Sequence, residues 1–416
     1  SPQQLDELAR IRLAALLEHA RTQVPFYRTR LAGHDLSPAA LAQPERFLAL
    51  PFLEKETILA SKEALIAQNF TTQELKANAT GGSTGHTLTF FNDLASLDAR
   101  SAVTIRGDRW AGLDVGTPHV RLWGAPSDLN AQEQRSHQIA NWLLNRTWLD
   151  CFRLSDAILA DYVAQLRRLR PRVLMGYATA LTTLARYLQV HQVADLQIDA
   201  VISSAETLFD AQRTLLEEVF RCKVYNRYGC REAGPLVVEC AHGALHVNSD
   251  YVYLEILRDG RPAAPGETGE IVITPLFGYG MPLIRYRIGD LAQAAEQRPC
   301  PCGRGLPTVQ RIIGRTTDML VNGRGESFHG EYFTHLFYHQ PGVRQFQVVQ
   351  TEPTQLTFAL VTDAHFDPAL MDRLTAQIHE FMGPISIEWQ LVDHIPPQPS
   401  GKHRFTISHV PLEWTP

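Results

Sequence analysis

Apolar residues at the start of the chain recur at the spacing of an α-helix. One helical face carries Leu5, Ala9, Leu13, Leu16, Leu17 and Ala20. Farther along, Asn92 or Asp93 can cap a helix that runs to about Trp110. Short apolar runs typical of strands then alternate with helical patterns. The strands are predicted at 119–123, 172–175, 200–204 and 223–226. The helices are predicted near 131–145, 156–169, 178–192 and 210–220. This alternation predicts an α/β fold in which helices cover a parallel sheet.

The pattern changes twice in the second half of the chain. Residues 246–257 alternate with a period of two and 268–276 continue as strand, which predicts a β-rich subdomain over about 236–313. Farther on come helical patterns near 328–340 and 367–381 and strand patterns at 343–350, 356–361 and 385–392. The sequence therefore predicts a large N-terminal domain, 1–313, and a small α+β C-terminal domain, 314–416.

Composition narrows the class of protein. The 416 residues are 44% hydrophobic and 20% charged, which is typical of globular chains, and the formal net charge of -5 gives no reason to expect a nucleic-acid partner. No apolar run approaches the ~20 residues that cross a bilayer, so no membrane partner is expected. Residues 1–20 are amphipathic with early acidic residues, unlike a signal peptide, and a cytoplasmic location is expected.

The segment TGGSTG, Thr80–Gly85, is the first candidate for chemistry. Its glycines lack the Cβ atoms that block close approach, so consecutive backbone N–H groups can form an anion-binding nest. The hydroxyls of Ser83 and Thr84 can donate to phosphate oxygens. No Lys-Ser/Thr pair follows the last glycine, so this is not a Walker motif. A plain turn before a hairpin remains the alternative for this segment alone.

Four later segments offer further polar groups. In YNRYGCREAG, Tyr228 could stack on a base and Glu232 could hold Mg²⁺ beside phosphates. In MPLIRYRIGDL, Asp290 could accept hydrogen bonds from ribose hydroxyls, and in GRTTDML, Arg315 could reach the same ribose or a phosphate. In PPQPSGKHR, Lys402 presents one ammonium on a proline-rich loop. Each of these segments alone could equally be an ordinary turn or surface loop.

The chain holds six cysteines, at positions 151, 222, 230, 240, 300 and 302. In a reducing compartment they should not form a disulfide framework, and the pair in CPCGR, Cys300 and Cys302, is typical of metal ligation. A strand pair would bring ECAHGALHV beside it and complete a tetrahedral Zn²⁺ set with Cys240 and His246, with His242 as the rival fourth ligand. The alternative is two thiols in a turn. The other three cysteines are interpreted as buried small apolar residues.

Taken in order, the segments TGGSTG, YGCRE, RYRIGDL, GRTTDM and SGK resemble the serial motifs of the adenylate-forming superfamily, the acyl- and aryl-CoA synthetases and adenylation domains. The segments ARTQVPFYRTRL, SSAETLFDAQRTLLEEVFRCKVYNRYG and CPCGRGLPTVQRIIGRTTDML are similar to its phenylacetate–CoA ligase-like branch. The resemblance spans essentially the whole chain. It implies the adenylate-forming enzyme fold, with a small mobile C-terminal domain that carries Lys402 as a lid.

The resemblance also implies roles for individual residues. The β- and γ-phosphates of ATP would be held by Thr80, Gly81, Gly82, Ser83, Thr84 and Gly85. Adenine and the α-phosphate would be surrounded by Ala205, Glu206, Asn226, Arg227, Tyr228 and Gly229. Asp290 and Arg315 would fix the ribose, and the catalytic residues would be Lys402, Glu232 at the Mg²⁺ and Thr84. Such an arrangement suits the chemistry, because attack of a carboxylate on the α-phosphorus requires two anions to be held together.

The chain departs from the family pattern at three places. The phosphate loop exits through His86 and Thr87, where Lys-Pro or Glu-Pro is usual. The usual hinge acid falls at Thr317 or Asp318, of which Asp318 is the candidate. The domain that follows begins NGRGESFHGEYF and lacks the usual glycine-rich run that faces CoA. The acyl acceptor is therefore less well defined than the adenylation step.

The resemblance places the acid among the segments RLWGAPSD, GYATAL and SSAE. Its lining would be Trp123, Gly124, Tyr177, Ala178 and Ser204. Tryptophan and tyrosine walls favour a flat, aromatic acid, and the alternative is that Trp123 is simply a core residue. The chain resembles zinc-bearing members of the branch in the pattern C…GLH…CxC, which favours His246 over His242. All four ligands would be protein groups, so the metal would be structural.

The sequence thus predicts an ATP-dependent carboxylic acid ligase that forms an acyl-AMP, releases pyrophosphate and passes the acyl group to a thiol, in first place that of coenzyme A. A carrier-protein thiol or an amine, as in natural-product or polysaccharide biosynthesis, is the alternative acceptor. A nucleotide-binding module without turnover is the alternative class, but the joint presence of Glu232, Asp290, Arg315 and Lys402 speaks against it. A homodimer is one assembly open to such a chain.

Overall fold

The computed structural model describes residues 1–79, 88–123, 138–151, 154–315, 318–322, 327–337, 340–396 and 404–410. The chain divides into two compact units, one of Ser1–Ile288 with Ala292–Ile312 and one of Gly289–Leu291 with Ile313–Pro416. Several residues singled out by the sequence lie outside the described ranges, namely Thr80–Gly85, His86, Thr87, Gly124, Thr317 and Lys402. Within those ranges, no helix combines the length and the apolar character that a membrane span requires.

The α-helices of the first unit include Pro2–Gln23, Pro25–Arg30, Pro44–Leu48, Lys55–Ala60, Leu94–Trp110, Asp156–Leu169, Ala178–Val190 and Asp210–Phe220, and residues 138–143 are helical as well. Its strands are β1 Leu75–Ala79, β2 Thr89–Asp93, β3 His119–Trp123, β4 Arg146–Asp150, β5 Val173–Tyr177, β6 Ala200–Ser204, β7 Lys223–Cys230, β8 Gly234–Glu239, β9 Leu245–Val247, β10 Val252–Arg258, β11 Arg261–Pro262, β12 Thr268–Pro275, β13 Tyr286–Ala294 and β14 Thr308–Arg315, the last two of which include residues of the second unit. The helices that the sequence predicts at 156–169 and 210–220 are confirmed to the residue.

Strands β1 and β2 form a hairpin, and the other twelve strands form one sheet in the order β11-β10-β12-β13-β14-β9-β8-β7-β6-β5-β3-β4. The strands β4, β3, β5, β6 and β7 pair in parallel, whereas β7 to β8, β8 to β9 and β9 to β14 pair in antiparallel. The predicted parallel sheet is confirmed in this half. The edge strand β4 escaped prediction, because only Leu149 of its five residues is buried and its sequence, RTWLD, shows no clear apolar run.

Helices pack against one face of the parallel half, and Ala111 and Leu113, which follow the helix Leu94–Trp110, pack against the other. All five residues of β5 and of β6 are therefore buried. The helix Asp156–Leu169 is typical of this covering layer. Ser155 caps its N-terminus by accepting a hydrogen bond from the Ile158 N–H, and its buried face is Leu159, Tyr162, Val163 and Leu166, at the spacing of a helical stripe.

The β-rich half contains one correction to the sequence prediction. The stretch 246–257, predicted as one strand, is split between β9 and β10 by a turn at residues 248–251. The N–H groups of Tyr251 and Val252 both donate to the carbonyl of Asn248, at 2.8 and 2.9 Å. The segment Asn-Ser-Asp favours such a turn because its short polar side chains compete with the sheet for backbone hydrogen bonds. The period-two pattern continued across the turn and concealed it.

The second unit contains the helices Glu331–Phe337 and Ala369–Met382 and the strands β15 Met319–Val321, β16 Ser327–His329, β17 Val343–Glu352, β18 Gln355–Thr362, β19 Ser386–Leu391 and β20 Thr406–Ser408. Strands β15 and β16 pair as a hairpin, and the others form a sheet in the order β19-β18-β17-β20. The helix Ala369–Met382 buries Leu370, Leu374, Ile378 and Met382 in an aromatic-rich core with Phe346 and Phe358. This is the α+β arrangement that the sequence predicts for the region.

Candidate functional site

The hairpin β1–β2 sets the two ends of the predicted phosphate loop beside each other. Ala79 pairs with Thr89 in antiparallel register, and the loop Thr80–Gly85 belongs to the connection between them, outside the described residues. Asp93 then caps the helix Leu94–Trp110 by accepting from the Ser96 N–H at 2.8 Å, which confirms one of the two predicted caps. Its other carboxylate oxygen accepts from the Gly280 N–H at 2.8 Å. The β1–β2 hairpin is consistent with both the nest and the plain turn.

Three predicted site residues lie in register across neighbouring strands. Tyr177 at the end of β5 pairs with Ser204 at the end of β6, and Ser204 pairs with Arg227 on β7. The Ser204 hydroxyl donates to the Arg227 carbonyl at 2.9 Å. These are the carboxyl ends of parallel strands, the edge at which open α/β sheets bind ligands. The structure thus brings the predicted acid-binding and nucleotide-binding segments to one edge of the sheet.

The residue after β6 adopts an unusual backbone conformation. Ala205 has φ of 70°, in the left-handed region that a residue with a Cβ rarely adopts. Such backbone costs about 1–3 kcal/mol and clusters at functional sites. Next to it, the Glu206 carboxylate accepts from the Thr179 N–H at 2.8 Å and so caps the helix Ala178–Val190. Two of the predicted nucleotide contacts, Ala205 and Glu206, therefore lie in a strained turn, and the Glu206 side chain caps the neighbouring helix.

The hairpin β7–β8, which carries YGCREAG, is tightly constrained at its base. A Cβ on Gly229 would lie 2.1 Å from the Gly234 carbonyl oxygen, and the register shifts between Tyr228 and Gly229. Only glycine is compatible with that approach. Tyr228 packs half-buried against the core, and the Asn226 N–H donates to the buried Glu239 carboxylate at 2.8 Å. The structure leaves the adenine roles of these residues as predictions.

The tip of the same hairpin lies beside the start of the predicted phosphate loop. The Arg231 guanidinium donates to the carbonyl oxygen of Ala79 at 3.1 Å, and Ala79 immediately precedes Thr80 in the chain. The Arg231 carbonyl in turn accepts from Arg100 at 3.1 Å. Residues 152 positions apart are therefore neighbours. Sequence reasoning missed Arg231, because a single arginine in a turn gives no signal of a long-range contact.

Arg227 makes a buried ion pair. Its guanidinium lies 2.8 Å from the Asp108 carboxylate, with side-chain exposures of 12% and 8%. It also donates to the Met175 sulfur at 3.2 Å. The guanidinium is thus engaged by the helix Leu94–Trp110, and the predicted contact with the nucleotide stays a prediction.

Glu232 accepts a hydrogen bond from the Tyr286 hydroxyl at 3.0 Å. The Glu232 side chain also borders a small cavity whose polar lining includes Asn92 and Ser96. A half-buried carboxylate with one oxygen already hydrogen-bonded is suited to ligate Mg²⁺ through the other, because Mg²⁺ takes one or two carboxylates and completes its shell with water and phosphate. Glu232 therefore fits the role that the resemblance implies for it.

Three of the predicted acid-binding residues, Trp123, Tyr177 and Ala178, share one apolar cluster. The rings of Trp123 and Tyr177 lie edge to face with centroids 4.8 Å apart, and Tyr177 and Ala178 are buried. Burial raises the pKa of the Tyr177 phenol, so it stays neutral at physiological pH. Burial also raises the pKa of the neighbouring Cys151 to about 12, helped by the charges of Glu206 and Asp150. Both readings of Trp123, pocket wall and core residue, are compatible with this cluster.

The second unit brings the predicted ribose residues together. The Arg315 guanidinium lies 2.9 Å from the Asp290 carboxylate. Asp318, the candidate hinge acid, accepts from the Arg315 N–H at 3.1 Å and forms an ion pair with Arg404. Arg404 lies two positions from the predicted catalytic Lys402 and was not singled out in the sequence. Arg315 and Arg404 are thus linked through one carboxylate.

A candidate metal centre lies in the first unit. The ligand atoms of Cys240, His246, Cys300 and Cys302 all lie within 4.8 Å of one another, with 3.7 Å between the sulfurs of Cys240 and Cys300 and 3.3 Å between the Cys302 sulfur and His246 Nε2. Pairing of β9 with β14 creates the set, because His246 pairs with Thr308 just beyond CPCGRGLP. The prediction that these four residues meet is confirmed, whereas His242 is exposed and lies outside the set.

The chemistry of the set fits tetrahedral Zn²⁺. His246 Nδ1 lies 3.0 Å from the Leu306 carbonyl oxygen, so Nδ1 carries the proton and Nε2 offers its lone pair toward the thiols. Burial alone would raise the pKa of Cys302, but hydrogen bonds with Arg304 and Cys300 lower it to about 6. Burial raises the pKa of Cys300 to about 11. All four ligand positions are protein groups, as in structural zinc sites.

Comparisons with known proteins agree with this picture. A family model described as the CapK C-terminal domain matches residues 320–409. Protein CapK of Staphylococcus aureus is 24% identical, over 98% of this chain and 90% of its own length. Phenylacetate-coenzyme A ligase of Thermus thermophilus is 26% identical, over 77% of this chain and 72% of its own length.

Among solved structures, 2-hydroxyisobutyryl-CoA ligase in the postadenylation state, in complex with 2-HIB-AMP, superposes with a TM-score of 0.76 at 20% identity. The superposition covers 96% of this chain and 88% of that one. This likeness confirms the predicted fold class, a mixed α/β fold with a large N-terminal domain and a small C-terminal domain.

Proposed function

The chain belongs to the adenylate-forming superfamily, in its phenylacetate–CoA ligase-like branch, and on that premise we propose that it activates a carboxylic acid with ATP and transfers the acyl group to a thiol. It is an AMP-forming ligase. The first half-reaction gives acyl-AMP and pyrophosphate. The second passes the acyl group to coenzyme A.

One observation carries the proposal, the contact between Arg231 and the carbonyl of Ala79. It supports a phosphate-binding role for Thr80–Gly85, because it joins the residue before that loop to the hairpin that carries Tyr228 and Glu232. At the same sheet edge, Ser204 and Tyr177 lie in register with Arg227. The carboxylate and the nucleotide would thus be held at neighbouring strand ends, which lowers the barrier by fixing two anions in a reactive arrangement.

The proposed roles follow the chemistry of charge. Glu232 would hold Mg²⁺, which neutralises phosphate charge when bound. Lys402 would bridge the carboxylate and the α-phosphate as negative charge builds there. Asp290, paired with Arg315, would accept hydrogen bonds from the ribose hydroxyls. Residues 314–416 would act as the lid that presents Lys402 and opens for the second step.

The acceptor is the part of the proposal with a specific rival. Coenzyme A is the first candidate because the phenylacetate-coenzyme A ligases and the 2-hydroxyisobutyryl-CoA ligase carry it in their names. An amine or a carrier-protein thiol is the second. It stays a rival because the family model at residues 320–409 bears the name CapK, which names no acceptor, and the relative of that name matches 98% of this chain, against 77% for the ligase. The C-terminal domain would then distinguish the two acceptors.

An aromatic acid is the favoured substrate class, since the edge-to-face pair of Trp123 and Tyr177 presents flat apolar walls. We also propose that Cys240, His246, Cys300 and Cys302 hold a structural zinc ion. The orientation of His246 supports this, because its Leu306 hydrogen bond directs Nε2 toward the thiol of Cys302.

Pyrophosphate release tests the proposal across a panel of aromatic and aliphatic acids, each with and without coenzyme A. We expect acid-dependent release, greatest with aromatic acids, and a thioester product when coenzyme A is present. Release without thioester would contradict the coenzyme A assignment and favour the amine or carrier acceptor. No release with any acid would contradict the ligase itself and favour a binding module.

A further inference from the structure

The backbone on both sides of Glu232 is held by side chains from other elements. Arg100, on the helix Leu94–Trp110, donates to the Arg231 carbonyl at 3.1 Å. The buried Tyr251 hydroxyl donates to the Ala233 carbonyl at 2.6 Å. A turn residue between two such anchors has little freedom to move its Cα. The carboxylate of Glu232 therefore projects from a fixed point.

The carboxylate itself has one anchor. The Tyr286 hydroxyl donates to Oε1 at 3.0 Å across 54 residues of sequence. Among the described residues, the other oxygen, Oε2, has no hydrogen-bond or ion-pair partner. A phenol hydroxyl is suited to donate a hydrogen bond to a carboxylate oxygen. Glu232 thus has one carboxylate oxygen oriented and the other available to bind a cation.

Tyr286 is held as firmly as the hairpin. Arg285 has φ of 50° and is 1% exposed, and its guanidinium lies 3.0 Å from the buried Glu255 carboxylate. Leu53 forms a bridge to the strand, donating to the Arg285 carbonyl at 3.0 Å and accepting from the Arg287 N–H at 3.1 Å. A non-glycine residue in the left-handed region is a strained conformation that persists only when its surroundings fix it. The phenol is therefore presented from a rigid strand.

We propose that Tyr286 is a positioning residue that orients the Glu232 carboxylate to bind the divalent cation of Mg·ATP. This inference rests on the proposed function. An ionised carboxylate beside a phosphate chain repels it unless a cation lies between them, so the position of that oxygen matters most when the metal is bound. Loss of the phenol hydroxyl should weaken metal-dependent nucleotide binding and leave metal-free binding almost unchanged.

The experiment measures ATP affinity by calorimetry with Mg²⁺ and again with EDTA, without any acid. The readout is the ratio of the two dissociation constants, which is the gain due to the metal. We expect Glu232→Gln to abolish most of the gain and Tyr286→Phe to reduce it about five- to tenfold. Tyr162→Phe is the matched control, because it removes another hydroxyl, one that donates to the Asp150 carbonyl at 2.8 Å, and should leave the ratio unchanged.

A double variant isolates the interaction. With Glu232→Gln already present, Tyr286→Phe should produce no further loss. The inference is overturned if Tyr286→Phe keeps the wild-type ratio, or if it lowers the ratio equally in the Glu232→Gln background. Should Tyr286→Phe fail to fold, Glu232→Asp keeps the charge but withdraws it by one methylene, and the same loss is expected. A wild-type protein that binds no ATP under either condition would contradict the proposed function as well.

Discussion

Neutralising Asp108 should destabilise the first unit strongly. The Asp108 carboxylate and the Arg227 guanidinium are 2.8 Å apart and nearly buried, so Asp108→Asn leaves an arginine charge with no counterion in a poorly hydrated place. Burial lowers the pKa of Arg121 to about 10, and the charge of nearby Arg227 adds to this lowering. Without the Asp108 carboxylate, the repulsion between the two guanidinium groups would no longer be offset. Removing one partner of a buried pair costs about 3–5 kcal/mol, and we expect a loss in this range.

The assay is urea unfolding at pH 7, followed by circular dichroism. The matched control is Arg167→Gln, which breaks a pair of similar geometry, 2.7 Å from Asp195, whose side chains are 49% and 57% exposed. That variant should unfold at nearly the wild-type urea concentration, because exposed ion pairs contribute little to stability. Replacing both buried partners, with Asp108→Leu and Arg227→Met, should destabilise far less than the sum of the single changes.

Two results would refute this reasoning. One is an Asp108→Asn protein that unfolds within about 1 kcal/mol of wild type, like the exposed control. The other is an Arg227→Met protein that keeps wild-type stability but binds ATP weakly. That outcome would mean that the guanidinium serves the nucleotide, as the family resemblance implies, rather than the ion pair.

Three further predictions concern other parts of the first unit. Burial lowers the pKa of His119 below 6.5, so the unfolded chain binds the proton first and the free energy of unfolding falls as the pH drops below about 6.5. This fall is at most about 1.4 kcal/mol per pH unit, and His119→Gln should flatten it in urea unfolding measured across that pH range. Cys240→Ala should remove the zinc found by metal analysis of protein purified without added metal, and a zinc content near zero in the wild type would end the idea. Gly229→Ala should destabilise the β7–β8 hairpin by at least 2 to 3 kcal/mol, about the upper range for overpacking, whereas Gly278→Ala, whose new Cβ would meet nothing closer than 3.9 Å, should be tolerated.

Much of the fold could be predicted because its signals are local. The helix Asp156–Leu169 shows its stripe and its cap within 15 residues, and strands β5 and β6 are short apolar runs between helices. Strand β4 could not be predicted, since an edge strand keeps polar residues on its exposed positions. The split between β9 and β10 was concealed because the residues of the turn happened to continue the alternation.

The candidate site also contains residues that the sequence could predict and residues that it could not. Cys240, His246, Cys300 and Cys302 could be brought together from sequence because metal ligands come in recognisable spacings. The pairing of Arg227 with Asp108 and of Glu232 with Tyr286 could not, since each joins residues far apart in the chain through one hydrogen bond. Sequence assigns functional side chains by motif, whereas their partners depend on tertiary packing.

The central claim is that this chain forms an acyl-AMP from ATP and an acid. Exchange of labelled pyrophosphate into ATP tests it most directly, because exchange requires reversible adenylation and no acceptor. The account predicts exchange that depends on the acid, and a Lys402→Ala variant that exchanges far more slowly while its ATP affinity changes little. Absence of exchange with every acid in a protein that binds Mg·ATP, or an equal loss of exchange and ATP affinity in the variant, would contradict it.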